Sequence, residues 1–398
     1  MASHYLPSMF NALVSVAITI GLHWYHYGPE SRQESPVGVT TSQLVQTCLG
    51  LVLYQLVRLV TQKWWTSRER ESIYGLQHGR LHLHVPTAMW MNMGYWKNDP
   101  TPTTKMSEAC CNLLKTVLAE AGCSKEMEKP GATNGTRRRK CLIDLGFGCG
   151  DQTVYLMSKE PIRSCDKDWW DEEAHAVTFD HYIGITKDAV QARYASERVE
   201  ELKRCRKQAA PPPPPGIQEQ PHPSITLFCA DAAKPPSWDP QLQTCIQSAR
   251  DQSDDCWVLA LDTAYHFEPS RWPLVYHVCS SLDASFMAFD LCLSPTATLT
   301  EKLFLRILTL LLGAPWPNFV TPQAYREKLM QAGYHADKIT IVDISDRVFM
   351  PLATFLAAQD RRLKTLGLGI GSLGIARSMF GWWGRSGVVR GVVVVAKK

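Results

Sequence analysis

No stretch of this 398-residue chain runs cleanly through the about 20 apolar residues that a membrane-spanning helix requires. The nearest approaches are residues 9–22, MFNALVSVAITIGL, and Leu44–Val60, which carries Gln46, Gln55 and Arg58. No Lys or Arg precedes the first run and no small-x-small site follows it, which argues against a cleaved signal peptide. A strong charge of either sign is also missing. With 42 basic and 38 acidic residues the net charge is +4, so bulk electrostatics draw the chain neither to nucleic acid nor to anionic lipid, and such a partner would need a local patch. No basic stripe with interleaved aromatics marks a nucleic-acid surface. The 13 cysteines are scattered, odd in number and contain no C-x-x-C pair, so neither a disulfide framework nor a metal site is expected, and reduced thiols facing the cytosol are the simplest reading.

What is present is globular. Hydrophobic residues make up 45% and charged residues 20%, with 25 Gly and 25 Pro, and the length suits roughly two to three domain-sized units or one large α/β domain with appendages. From about Tyr74 strands and helices alternate. Strands are predicted at 140–145, 177–186, 225–231, 257–261, 285–293, 339–344 and 387–396. Helices are predicted at 187–203, 270–282, 301–312, 322–332 and 349–364, with one helix and a Gly-rich tract between the last two strands. The expected division is a hydrophobic segment at 1–75 and a catalytic domain at 76–398. Insertions interrupt the domain near 124–140, 158–176 and 206–224. The last contains PPPPP, which is neither helix nor central strand and reads as a polyproline-type spacer.

The segment with the most chemistry is CLIDLGFGCGDQ, Cys141–Gln152. Asp144 closes a buried strand, Gly146, Gly148 and Gly150 form a tight turn around Phe147, and Asp151-Gln152 opens a helix. Glycines there let main chain approach a ligand in front of a helix N-terminus. The spacing departs from the G-x-G-x-x-G dinucleotide pattern, whose sixth position is Asp151 here. Taken singly, Gly148 could serve strand-to-helix packing, Gln191 could be a helix-surface residue and Asp231 a turn acid; their ordered occurrence points to cofactor binding.

This segment resembles the first motif of the class I S-adenosylmethionine-dependent methyltransferases, and later motifs follow in order over Met91–Lys398. Tyr182–Thr186 followed by Gln191 is similar to the G-[IL]-T-x-x-x-x-Q segment of the subgroup that includes tocopherol, sterol and cyclopropane-fatty-acid methyltransferases. MNMGYW, with Asn92, Gly94, Tyr95 and Trp96, resembles the N-x-G-Y-W segment that folds over the cofactor in that subgroup. The resemblance implies a seven-stranded, mostly parallel Rossmann-like sheet with helices on both faces, plus N-terminal hydrophobic helices. It implies S-adenosyl-L-methionine as cofactor, bound by Tyr95, Trp96, Asp144, Gly146, Phe147, Gly148, Gly150, Gln152, Thr186, Gln191, Asp231, Ala232 and Asp262. Within that set, Thr186 and Gln191 take the place of a ribose-binding acid and Asp231 lies near the adenine amino group.

For the chemical step, LALDTAYHFEPSRW, Leu259–Trp272, resembles the family's E-x-x-x-H turn, with Asp262 for the usual Glu and His266 at the histidine. The shorter Asp departs from the family pattern. His266 is a candidate general base or a structural orienter of the turn, and Tyr265 a polar wall or hydrogen-bond donor. The apolar stretch Glu301–Phe319 stands where the family inserts a substrate cap, expected near 299–325, with Trp316, Phe319 and Tyr325 facing the pocket. An apolar cap implies a lipophilic small-molecule acceptor, a lipid, terpenoid or other secondary metabolite.

Two other function classes fit the sequence less well. A protein or nucleic-acid methyltransferase is disfavoured because the turn reads LDTAYHF rather than (Asn/Asp)-Pro-Pro-(Tyr/Phe). A membrane-tethered non-catalytic scaffold is disfavoured by the intact glycine turn with Thr186, Gln191 and Asp231. Residues 9–27 and 44–63 are expected to form a membrane-facing hairpin, in the endoplasmic reticulum with the domain on the cytosolic side, the alternative being ordinary N-terminal helices packed on the domain of a cytoplasmic protein. Lys63, Arg68, Arg70 and Arg80 follow the second run, while the linker has only Arg32.

Overall fold

In the computed structural model the described residues are 88–97, 102–123, 138–158, 179–209, 223–311 and 313–398. All belong to the unit Gly79–Lys398. The expected N-terminal helices and membrane hairpin lie outside the described residues, as do most of the first two insertions. Among the described residues no helix is long and apolar enough to cross a membrane.

Seven strands form one sheet: β1 (Lys140–Leu145), β2 (His181–Thr186), β3 (Ser224–Cys229), β4 (Asp255–Leu261), β5 (Ser285–Leu293), β6 (Ile339–Asp343) and β7 (Val389–Ala396), in the order β3-β2-β1-β4-β5-β7-β6. The helices are α1 (Met106–Ala121), α2 (Asp151–Met157), α3 (Ala189–Ala209), α4 (Pro240–Asp251), α5 (Trp272–Ser280), α6 (Leu299–Leu311), α7 (Pro322–Ala332), α8 (Phe349–Lys364) and α9 (Leu373–Ser386). α3 continues through the first residues of the third insertion.

Successive strand residues face opposite sides of the sheet, and helices cover both. Ile143, Ile185, Val258 and Ala260 enter one core, with Leu242, Val278 and Leu329 from α4, α5 and α7. Leu142, Tyr182, Leu259 and Met287 enter the other, with Leu113, Leu114 and Val117 from α1. Local chemistry sets several helix ends. Asp239 accepts from the Leu242 amide at 2.7 Å with Pro240 behind it, and Thr321 accepts from Ala324 with Pro322 behind it.

The sheet is mixed, a correction to the mostly parallel one expected. β1 to β5 pair in parallel, but β7 pairs antiparallel with both β5 and β6. The Gly-rich tract expected to join α8 to the last strand itself contains α9, which packs on α8, and the chain then enters the sheet between β5 and β6 running against both. The parallel half leaves the C-terminal ends of β1, β2, β3 and β4 side by side, the position at which open α/β sheets take ligands.

Candidate active site

A cleft of about 470 Å³ opens across those strand ends. Its floor is the turn after β1. Gly146, Gly148 and Gly150 all have positive φ, +77°, +63° and +86°, a region that favours glycine. Two of them also admit close neighbours. A Cβ on Gly146 would lie 2.6 Å from Thr263 Oγ1, and one on Gly150 would lie 2.8 Å from the Ala195 Cβ. The Gly146 amide donates to the Ile185 carbonyl at 2.7 Å, tying the turn to β2. Phe147 packs on Gly184, where a Cβ would come within 2.7 Å of the ring.

Beneath the turn Asp144 is fully buried. Gln152 Nε2 reaches both of its oxygens, at 2.8 and 2.7 Å, and the Tyr182 hydroxyl donates to it at 2.5 Å. Burial pushes its carboxyl up to about 6, against the lowering effect of those donors. Asp144 is thus the hub that fixes Gln152 and β2 under the turn. Asp151, next to Gln152, pairs with Arg198 of α3 at 2.8 Å and accepts from the Met89 amide.

The next two strands supply the remaining members of the cofactor-side set. At the end of β2, Thr186 Oγ1 donates to Gln191 Oε1 at 3.4 Å, and Asp188 caps α3 through the Val190 and Gln191 amides. After β3, Asp231 accepts from the Ala233 amide at 3.0 Å and pairs with Lys234 at 3.1 Å. Thr186, Gln191, Asp231 and Ala232 all line the cleft, as do Gly146, Phe147, Gly148 and Gln152.

The far wall comes from the turn after β4. Asp262 has a φ of +59°, and both its oxygens are engaged: the Met93 amide donates to one at 2.7 Å and the Tyr265 hydroxyl to the other at 2.9 Å. Burial raises its carboxyl to about 7, with those two donors opposing and the Asp290 charge adding to the rise. His266 lines the cleft with its ring centroid 4.3 Å from that of Tyr265. The residue is exposed on the cleft side, yet desolvation by the protein around its other faces lowers the imidazole below the ordinary histidine value, and a hydrogen bond to the Gly313 backbone works against this. The turn is held from below. Asn318 Nδ2 donates to the Tyr265 and Phe267 carbonyls, both at 3.0 Å, and its Oδ1 accepts from the Arg271 amide at 2.9 Å. The fully buried Arg271 pairs with Asp290, which also accepts from Tyr325 at 2.9 Å.

Several predicted residues lie outside the cleft lining. Asp144 and Gly150 act beneath it. Trp96 is buried, donates its indole N–H to the Met93 carbonyl at 3.1 Å and packs 4.9 Å from Phe355. Tyr95 packs against the same core. The side of the cleft expected from Tyr95 and Trp96 is instead lined by Met89, Trp90, Met91 and Asn92, immediately upstream. The Met93–Asp262 bond turns that strap back over β4, so the two large rings of the motif point into the core. Trp316, Phe319 and Tyr325 do not line the cleft either: Phe319 and Tyr325 are buried, and Tyr325 belongs to the Arg271–Asp290 cluster. A polar partner for a buried tyrosine hydroxyl outweighed the apolar patterning that suggested a pocket wall. Thr263, Phe267, Glu268 and Gly313 also line it and carried no signal in the sequence beyond lying near His266 or the cap.

No family model matches the chain, and no curated protein matches it. Solved structures do. A protein of Galdieria sulphuraria designated a sarcosine dimethylglycine methyltransferase superposes with a TM-score of 0.50 at 12% identity, over 77% of this chain and 92% of that one. A cyclopropane synthase from Mycobacterium tuberculosis gives 0.45 at 12% identity, covering 77% and 90%. The geranyl diphosphate C-methyltransferase of Streptomyces coelicolor A3(2), in complex with Mg²⁺, geranyl diphosphate and S-adenosyl-L-homocysteine, gives 0.43 at 14% identity, covering 77% and 90%. Identities this low speak to architecture alone. With its strand order and the glycine turn at the end of β1, the chain has the fold of the S-adenosylmethionine-dependent methyltransferases.

Proposed function

We propose that this protein transfers a methyl group from S-adenosyl-L-methionine to a lipophilic small molecule. The observation that carries the reading is the convergence of Gly146 and Gly148, Thr186, Gln191 and Asp231 on one cleft from the ends of three adjacent strands. Main chain bare of side chains along the Gly146–Gly148 turn suits the amino-acid end of the cofactor. The Thr186–Gln191 pair suits the ribose hydroxyls, and Asp231 an exocyclic amine. When bound, the cofactor supplies an electrophilic methyl group on a sulfonium.

The chain's own residues would then do three things. The turn and the 89–92 strap hold the reactants together, which supplies much of the rate of a displacement. Apolar side chains at Met89, Trp90, Met91, Leu261 and Phe267 exclude water and favour a lipophilic acceptor. His266, kept neutral near pH 7 by its lowered pKa, takes a proton from an acceptor hydroxyl or amine. Asp262 is better suited to positioning than to that task, since both oxygens already accept hydrogen bonds. The apolar runs at 9–22 and 44–60 support a membrane-associated place of action with the domain on the cytosolic side.

Isothermal titration with S-adenosyl-L-methionine and its demethylated product tests the cofactor reading. Saturable binding of both is expected, and a folded protein that binds neither would return the chain to the scaffold class. Mass spectrometry of lipid extracts from cells with and without the gene would then identify the acceptor by a 14-mass-unit (CH₂) difference, roughly one methylene.

A further inference from the structure

Among the described residues, α6 is amphipathic in the wrong sense for a helix packed on its own domain. Its inward side carries Leu305 and Thr309, whereas Leu299, Leu303 and Ile307, spaced four residues apart on one stripe, are 85%, 63% and 53% exposed, with Phe304 beside them. Single exposed leucines need no explanation; a stripe of them does. The stripe does not end with the helix. Phe304 meets Trp382 of α9 edge to face, with centroids 4.9 Å apart. Trp382 shares a helix face with Met379 and Ile375, and Ile375 leads into the α8–α9 link, LGLGIGSLG, where Leu366, Leu368 and Leu373 are also exposed.

Charge around this apolar surface is predominantly basic, the one acid on α6, Glu301, being engaged by the Thr298 amide and hydroxyl. Arg361, Arg362 and Lys364 end α8 on one side of the link, Arg377 and Arg385 lie on α9, and Arg306 lies on α6. The single acid between residues 359 and 388 is Asp360, and Lys364 and Arg377 already neutralise it at 2.6 and 3.5 Å. A chain with a net charge of only +4 has collected a local basic rim about this exposed apolar surface. That rim opposes self-association, because a second copy meeting the same face would bring Arg against Arg. It matches a surface that is apolar within and anionic at its edge.

We propose that the outer face of α6 and the α8–α9 link dock on an anionic lipid surface, the apolar side chains entering the acyl boundary and the basic rim meeting the headgroups. The placement also has a use. Gly313, two residues beyond α6, lines the cleft and contacts His266, so a lipophilic molecule leaving the bilayer along α6 reaches the reaction site without crossing water. The docking does not depend on the methyl-transfer reading, and its test uses no activity.

The test uses the full-length protein with mixed phosphatidylcholine–phosphatidylserine vesicles and with pure phosphatidylcholine vesicles. Amide hydrogen exchange across 366–375 should slow several-fold with the mixed vesicles and change little with the neutral ones. Because this readout is local, an N-terminal segment that holds the chain on vesicles by itself does not obscure it. In the double variant Arg361→Glu/Arg362→Glu the vesicle concentration needed to slow exchange across 366–375 should rise by at least roughly tenfold, at about fivefold per charge removed near a surface. Leu303→Ser/Ile307→Ser should abolish the exchange effect while leaving the melting temperature unchanged or raised, as expected for exposed sites. Unchanged exchange on vesicles in the unmodified protein would overturn the proposal. So would a stable dimer that Leu303→Ser/Ile307→Ser converts to monomer, since the face would then belong to a second copy.

Discussion

The two sides of the cleft are built by different means. On the β1–β2–β3 side the surface is main chain and short-range contact: three positive-φ glycines, an amide bonded to the neighbouring strand, and Thr186 and Gln191 five residues apart. On the β4–β5 side it is a lattice of side chains whose partners come from far along the sequence. Met93 meets Asp262 across 169 positions, Asn318 meets Tyr265 across 53, and Arg271 meets Asn318 across 47. The first side tolerates little change of backbone shape, and its buried acids, Asp144 and Asp151, lie at or beneath the turn. The second tolerates little loss of a polar partner, because each buried group removed leaves another unsatisfied.

The largest effect should come from the reacting side. His266→Ala should lower turnover by about 10²–10⁴ with cofactor affinity unchanged. In the unmodified protein the rate should fall as pH drops through a histidine value lower than ordinary, since only the neutral ring accepts the proton. A stable, fully active variant would remove His266 from the chemistry.

Arg271→Met should cost about 3–5 kcal/mol of global stability, because it leaves the Asp290 carboxylate buried without its countercharge, with only the Tyr325 hydroxyl and the Leu291 amide as partners. Denaturant titration reads this directly, and a loss below about 1 kcal/mol would mean that the lattice is less tightly coupled than its hydrogen bonds imply.

Gly146→Val probes the other side. A branched Cβ at φ +77° and 2.6 Å from Thr263 Oγ1 should weaken cofactor binding roughly 100-fold, from about 3 kcal/mol of strain and displacement, in a protein that still folds. Gly146→Ala combined with Thr263→Ala should recover part of the loss seen in Gly146→Ala alone, as titration of the two variants would reveal.

The smallest expected effect is on pH dependence. Asp262 and Asp144 have carboxyl values raised to about 7 and about 6 in the fold, so the folded state holds their protons more tightly than the unfolded chain does. Their contribution to stability is present below the unfolded carboxyl value, about 4, and is lost as pH rises through 6 and 7. The melting temperature should therefore fall between pH 5 and pH 8. Asp262→Asn should flatten the upper part of that fall, since an amide oxygen can still accept from Met93 while its NH₂ meets the Tyr265 hydroxyl. An unaltered pH profile would place the titration elsewhere.

Much of this contrast was legible in the chain, unevenly. β1, β5 and β7 are unbroken buried runs, and the bounds predicted for β5, α7 and α8 match those observed, because apolar patterning and caps act locally. α1 and α4 were not foreseen, although each has clear buried positions, since Cys and Asn in one and Gln in the other blur their periodicity. The glycine turn and the strand-end residues of the first side were readable because what they need, freedom at φ and a side chain at a strand end, is written in one or a few consecutive residues. Trp96 and Tyr325 were not, because an aromatic with a polar tip can line a cleft or fill a core, and the choice rests on partners elsewhere in the chain.

The sequence by itself determined the alternation of strands and helices, the glycine turn, and the order of the residues that meet on the cofactor side. Tertiary structure alone decided that β7 runs antiparallel, that Met89–Asn92 rather than Tyr95 and Trp96 wall the cleft, that both oxygens of Asp262 are occupied, and that the apolar stripe of α6 faces outward. The division follows from range. Backbone conformation and burial periodicity are fixed within a few residues, whereas the pairing of a buried carboxylate or the exposed face of a helix depends on which distant segments reach it first and satisfy it best.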